Sequence, residues 1–271
     1  MRLFFLLGAD DPEMVGIVAL LVKSKQTFAY ATYQGSRVNP GNAYEAEEID
    51  VPVGATLVYV ECARKAYSLE TKVIVVDHHR KGDPGFGFPP ENFWEASSIG
   101  QIYSLLKLGQ PTKEHIILAA TDHCMVAARQ GKCPGVLPEE VKTLRMKNTA
   151  HAHGVDVAHV AGVVFLMQRQ LKVAQTLMMC DQEVVDLRGV QIGIGYSLEY
   201  FSVQEALADL NLVALLLTKH RVDSLERIII CGAASPETIA YFIAIWAPKQ
   251  GLTSIYGVPS RGYAGGYKPK S

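Results

Sequence analysis

Acidic and imidazole side chains gather at four places in this chain: Asp10-Asp11-Pro12-Glu13, Glu61, Asp77-His78-His79 and Asp122-His123. Each follows a short apolar run that reads as a strand, at residues 3–7, 56–60, 72–76 and 115–120. Four acidic strand ends in one domain are hard to explain as solubility. Carboxylates brought close together repel unless cations neutralise them. Oxygen and imidazole ligands suit Mn²⁺ or Mg²⁺, so these residue types point to a metal site.

The runs that must position them are nearly continuous in apolar residues. That pattern belongs to a parallel sheet covered on both faces. Ligands of such a sheet bind beyond the carboxyl ends of its strands, where the acids fall. Residues 14–23 and 96–106 read as helices, and 27–33 as a further β-rich run. Residues 80–92, with Gly82, Pro84, Gly85, Gly87, Pro89 and Pro90, must be a loop. Further on, the pattern predicts helices at 138–147, 155–179, 203–219 and 236–246, a strand or hairpin at 184–194 and a strand at 227–231. Residues 251–271 read as a Gly-, Tyr- and Lys-bearing irregular tail.

The run Val73-Ile74-Val75-Val76-Asp77-His78-His79, followed by Glu95-Ala96-Ser97-Ser98 and a helix, resembles the DHH superfamily of phosphoesterases. That group includes RecJ-type exonucleases, small-oligonucleotide and cyclic-dinucleotide phosphodiesterases and manganese pyrophosphatases. The resemblance covers residues 1–165 at motif level. It implies an α/β protein: a parallel-sheet DHH domain (1–165), a long connecting helix (166–183) and a smaller C-terminal α/β substrate-binding domain (184–271). It also implies roles. Asp11 and Glu61 would hold one metal, and Glu13, Glu61, His78 and Asp122 the other. His79 would contact the phosphate or assist the leaving group, and Asp77 would orient the histidines. A water between the metals would be the nucleophile.

The chain departs from the family's pattern in three places. Leu7 stands where a histidine ligand is expected, with Asp10 as a candidate substitute. Glu13 and Glu61 replace aspartates, lengthening each ligand by a methylene. The Gly-Gly-Gly-His motif of the associated domain is missing; the Gly-rich, basic segment 260–268 lies in a comparable place. There Gly265 and Gly266 would let backbone approach a phosphate, Arg261 would pair with it and Tyr263 would stack on a base. A flexible tail is the alternative.

Composition narrows the partners. At 49% hydrophobic residues the 271-residue chain can bury a core, and a net charge of −1 lacks the basic excess that long nucleic acid needs. A small phosphate-containing molecule or short oligonucleotide fits better. The five cysteines are odd in number and show no CxxC spacing, which argues against zinc ribbons and disulfide frameworks. The apolar N-terminus meets Asp10-Asp11 rather than a cleavage site, and no apolar run reaches the ~18 residues of a membrane span. The expectation is a cytoplasmic protein with no membrane partner, compatible with a homodimer.

Other candidates have ordinary readings beside functional ones. His123 is an extra ligand, a proton donor or structural. Arg80 and Lys81 meet substrate phosphate or form a solvated pair. Ser97 or Ser98 caps a helix. His151 and His153, two apart, fall on different sides of a helix, and His115, His159 and His220 lack a partner motif. Gly193-Ile194-Gly195 lacks a third glycine and reads as a hairpin turn. Neither a GxSxG elbow nor a GxxxxGK[ST] loop is present. Two functions follow: a Mn²⁺- or Mg²⁺-dependent phosphoesterase, or a non-catalytic ligand- or metal-binding protein on a degenerate DHH site.

Overall fold

The computed structural model describes residues 2–64, 72–171, 174–188, 197–219 and 225–269. The chain folds as two units: Met1–His123 with Gly131–Val136, and Cys124–Gln130 with Leu137–Ser271. The division therefore falls well before the expected boundary at 165, and the second unit takes in helices expected in the first.

The first unit begins with β1 (Arg2–Leu7), α1 (Pro12–Lys23) and β2 (Thr27–Tyr30), then the short hairpin β3 (Thr32–Tyr33) and β4 (Ser36–Arg37). There follow β5 (Ala55–Val60), β6 (Val73–Val76), α2 (Phe93–Ala96), α3 (Ser98–Leu105) and α4 (Lys113–Arg129), whose residues from Cys124 onward belong to the second unit. Four strands form a sheet in the order β2-β1-β5-β6, all pairs parallel. Alternate residues supply its two faces. Phe4, Leu6, Leu57 and Tyr59 pack with Ala31, Val38, Ala43, Ala46 and Cys62. Phe5, Leu7, Val58 and Val60 point the other way and are buried, as are Met14, Ile17 and Leu21 of α1 and Ile99 and Ile102 of α3. The strands read as continuous apolar runs because both faces are covered.

Register places the site. Leu7 lies opposite Val60, and Val60 opposite Val76, so β1, β5 and β6 end on one row. The chain leaves β1 for β2 on one side and later returns to β5 on the other, which makes the β1/β5 boundary the switch point where ligands of open parallel sheets bind. The exits are tight. Gly8 donates its N–H to the Val60 carbonyl at 2.9 Å, and a Cβ at position 8 would lie 2.3 Å from the Glu61 carbonyl oxygen. Glu61 itself has φ of 52°, a left-handed conformation that a non-glycine residue holds only under constraint.

The second unit contains α5 (Pro138–His153), α6 (Val157–Leu171), β7 (Gln175–Met179), β8 (Gln182–Leu187) and α7 (Leu198–Leu210). It continues with β9 (Val213–Lys219), β10 (Glu226–Gly232), α8 (Pro236–Tyr241) running into a π-turn at Phe242–Trp246, β11 (Thr253–Val258) and β12 (Tyr263–Tyr267). Its sheet runs β11-β12-β10-β9-β8-β7, with β8 and β9 parallel and the other neighbours antiparallel. Ala214, Leu216, Ile229 and Cys231 face Val160, Val164 and Leu207 of the helices. Val213, Leu215, Ile228 and Ile230 face Ile239, Phe242 and Ala264. Among the described residues no single helix is long and apolar enough to cross a membrane.

Four expectations fail here. The run before Asp122 is helical, not a strand: α4 carries Ala119 and Ala120, both fully buried, and a short apolar run cannot be assigned by periodicity alone. The helix expected over 155–179 stops at Leu171, and 175–179 pairs with β8. No Gly or Pro marks that stop in the described sequence, so strand pairing decides it. The helix expected over 203–219 ends at Asn211, whose φ of 51° and ψ of 42° form a left-handed cap. The expected tail contains β11 and β12, of which β12 is an interior strand. The Gly193-Ile194-Gly195 turn and His220 lie outside the described residues.

Gly8→Ala forces Cβ into the Glu61 carbonyl and should cost about 1–3 kcal/mol. Gly109→Ala, with no atom within 4 Å of the added carbon, should be nearly neutral. Urea melts of the two variants measure the contrast; equal midpoints would refute the packing account.

Candidate metal centre

Four elements deliver ligand atoms to one point. His78, directly after β6, places Nε2 2.9 Å from Asp122 Oδ2 on α4. The same atom lies 3.5 Å from Glu61 Oε1 and 3.9 Å from Glu13 Oε2. Glu13, in the first turn of α1, uses its other oxygen to accept the Ile99 N–H at 3.1 Å, at the start of α3. Glu13 Oε2 and Glu61 Oε1 are buried with no hydrogen-bond donor among the described residues. Leaving a buried oxygen so placed is costly unless something charged fills the gap. Ligand atoms of Glu61, His78, His79 and Asp122 all lie within 4.8 Å of one another, a spacing that can hold a metal ion.

Electrostatics say the same. Burial pushes the carboxyls of both Asp11 and Glu13 well above the usual carboxylate range. Neighbouring charge pushes them further, chiefly Glu61 for Asp11 and Asp122 for Glu13. Backbone N–H groups pull weakly the other way, including Met14 N–H, which Asp11 Oδ1 accepts at 2.7 Å as the cap of α1. The donor set of carboxylate oxygens and one imidazole nitrogen fits Mn²⁺ or Mg²⁺.

Asp77 is the hub beneath the histidines. Its Oδ1 accepts from the backbone N–H of His78 at 2.7 Å and of His79 at 3.0 Å, and lies 2.9 Å from His79 Nδ1. Its Oδ2 accepts the Tyr44 hydroxyl at 2.9 Å. Burial opposes ionisation, yet the hydrogen bonds and charge of His79, with Tyr44, hold the Asp77 carboxyl below the usual range. Gln101 clasps the Asp77 backbone, its Nε2 donating to the Asp77 carbonyl at 3.0 Å and to the Ala96 carbonyl at 2.8 Å. The Gly/Pro loop folds back over this point. Gly85 N–H donates to the Asp77 carbonyl at 3.0 Å, and a Cβ on Gly85 would sit 1.9 Å from the Ala96 carbonyl oxygen.

Of the expected site residues, Glu13, Glu61, His78 and Asp122 converge, Asp11 interacts with the acids among them, and His79 stands half-exposed beside them. Asp77 contacts the His78 backbone and the His79 ring, so it orients one imidazole, not both. The His78 ring meets His123 instead, Nδ1 to Nδ1 at 3.0 Å, and His123 Nε2 lies 3.0 Å from the Phe88 carbonyl. With both nitrogens engaged, His123 is not placed as a ligand. Asp10 is turned to Arg37 at 3.2 Å, away from the cluster. Arg80 stacks its guanidinium 3.2 Å over the Tyr44 ring, and Lys81 is exposed. Ser97 Oγ caps α3 by accepting Gly100 N–H.

Arg261, Gly265 and Gly266 belong to the second unit. Arg261 lies 5.9 Å from the Tyr263 ring. The space above Gly265 is taken by Tyr256, and that above Gly266 by Leu252 and Ile255, so sheet packing explains both glycines. His115 meets the Tyr103 hydroxyl at 2.8 Å, His153 packs on Phe201, and His151 and His159 are exposed. Sequence reading missed Tyr44, Gln101, Gly8 and Gly85. Only Gly85 carried a signal, as one glycine of a loop rich in them.

The raised carboxyls give a pH test. In the metal-free protein Asp11 and Glu13 keep protons at pH values where the unfolded chain has lost them. The folded state then binds the excess protons, so this contribution to stability falls as pH rises above the ordinary carboxylate range. Glu13→Gln should therefore raise the melting temperature in chelator at about pH 8, with the gain vanishing near pH 4. Added Mn²⁺ should stabilise wild type far more than this variant. A Glu13→Gln protein less stable than wild type at the higher pH would contradict the assignment.

The chain matches no protein-family model and no curated protein. Among solved structures it is similar to the pGpG-specific phosphodiesterase PggH from Vibrio cholerae, at 9% identity over 98% of this chain and 93% of that one, with a TM-score of 0.35.

Proposed function

We propose that this chain is a metal-dependent phosphoesterase of the DHH type, hydrolysing a phosphodiester or phosphoanhydride. The observation that carries the proposal is the approach of His78 Nε2 to carboxylate oxygens of Asp122, Glu61 and Glu13, two of them buried without donors. Glu13, Glu61, His78 and Asp122 hold one ion in this reading, and Asp11 with Glu61 contributes to a second. When bound, Mn²⁺ or Mg²⁺ supplies the positive charge that activates water and neutralises phosphoryl oxygens.

The chain's own groups do the rest. Asp77 fixes His79 through Nδ1, which leaves Nε2 as the atom that contacts the phosphate and passes a proton to the leaving oxygen. Arg80, stacked on Tyr44, is held at the loop that follows and pairs with a phosphate oxygen. The net charge of −1 favours a small phosphate-containing molecule or a short oligonucleotide as substrate.

A second reading, a ligand- or metal-binding protein without turnover, draws on Leu7. It stands in the missing-histidine position and is fully buried in the sheet, while Asp10 pairs with Arg37 rather than replacing it.

Mn²⁺-loaded protein, assayed against a chromogenic phosphodiester and a panel of short oligonucleotides, should turn over at least one of them. Chelator should abolish activity and Mn²⁺ restore it. His78→Ala should lower kcat/KM by about 100-fold or more, since several kcal/mol of charge stabilisation pass through that ligand. No turnover with less than one equivalent of metal bound would end the enzyme reading. Full activity in His78→Ala would defeat the site assignment.

A further inference from the structure

We infer that His123 is a positioning residue: it fixes the tautomer of His78 so that Nε2, and not Nδ1, is the nitrogen offered to the acidic cluster. The inference rests on the metal-centre reading above and adds a residue to it.

The chain of hydrogen bonds starts at a group with one possible role. The Phe88 carbonyl can only accept, so His123 Nε2, 3.0 Å away, carries the hydrogen. A neutral imidazole has one N–H, which leaves His123 Nδ1 as an acceptor. It lies 3.0 Å from His78 Nδ1, so His78 Nδ1 must donate. Two lone pairs, or two N–H groups, at that separation would repel. His78 Nε2 then presents its lone pair toward Asp122 at 2.9 Å and Glu61 at 3.5 Å. The rings sit 5.1 Å apart, and His78 and His123 are 0% and 2% exposed, so water does not compete for these bonds.

The direction matters chemically. A lone pair facing carboxylates is stable only with a cation between them, so the relay converts a buried histidine into a ligand of fixed aim. Groups that orient a ligating histidine through its other nitrogen typically contribute 10–100-fold to metal affinity, or about 1.4–2.7 kcal/mol. The anchor, Phe88, belongs to the Gly/Pro loop, which gives that loop a part in holding the centre.

The test uses the full chain. Free Mn²⁺ measured by EPR gives dissociation constants for wild type, His123→Leu and His123→Asn, with circular dichroism as a check on folding. His123→Leu removes the acceptor and should weaken Mn²⁺ binding by about 10–100-fold. His123→Asn places Oδ1 where Nδ1 stood, still accepts from His78, and should recover most of the loss. Histidine ¹⁵N spectra of Zn²⁺-loaded wild type should show His78 protonated at Nδ1 and His123 protonated at Nε2 alone, with its Nδ1 free of hydrogen. That measurement needs no variant and decides the matter if His123→Leu does not fold. Mn²⁺ binding unchanged in His123→Leu, or a hydrogen on His123 Nδ1 in the loaded protein, overturns the role of His123 while leaving the metal centre standing. Wild type that binds no Mn²⁺ overturns the metal centre, and this role with it.

Discussion

Carboxylates that crowd one buried imidazole repel each other, and much of the first unit is arranged to keep them together. Two unit charges about 4 Å apart interact by about 4 kcal/mol at an effective dielectric near 20. The pair Asp11 and Glu13 answers this in the metal-free protein by holding protons well above the usual carboxylate range. A divalent ion answers it better. The scaffold supplies rigidity against the repulsion: three strand ends on one row, Gly8 pressed on the Glu61 carbonyl, and Glu61 in a left-handed conformation. Backbone strain of this kind persists only where surrounding structure imposes it. Here the Val76 carbonyl accepts the Glu61 N–H at 3.0 Å, and the sheet fixes Val60 just before it.

What sequence could show followed from where the determinants lie along the chain. β1, β5 and β6 were legible because strands buried on both faces must be apolar throughout. Asp77-His78-His79 was legible because the acid and both imidazoles are contiguous. Asp122 was found for an incomplete reason. Its apolar lead-in was taken for a strand, yet a helix brings the same carboxylate to His78. Tyr44 was not legible, since it bonds an acid 33 residues later through a short turn with no pattern of its own. His123 was noticed as a neighbour of Asp122, but its bonds to His78 and Phe88 exist only in three dimensions.

The second unit shows the opposite balance. Its strands β9 and β12 were misread because both are local ambiguities resolved by pairing. Val213–Lys219 is a run that suits helix or strand equally, and Tyr263–Tyr267 looks like a linker until Gly265 and Gly266 are seen to make room for Tyr256 and Leu252. Its helices are joined by a buried ion network. Arg129 pairs with Asp209 and approaches Glu205, Arg145 pairs with Glu205, and Lys142 reaches Asp209 at 2.7 Å. Such networks add little net stability over apolar packing, but removing one member strands the others in a dry interior. None of that was visible in the charge pattern, because the partners lie 60–80 residues apart.

On the reading proposed above, the metal centre is lopsided. The His78 side has four protein groups, Glu13, Glu61, Asp122 and His78, each brought by a different element. The Asp11 side has Glu61 in common and little else. Leu7 is buried in the sheet where a ligand would be wanted, Asp10 is committed to Arg37, and one oxygen of Asp11 already caps α1. The first ion would then be held by the protein in the absence of substrate. A second would bind mainly when phosphate oxygens complete its shell, as hard divalent ions with few protein ligands commonly do.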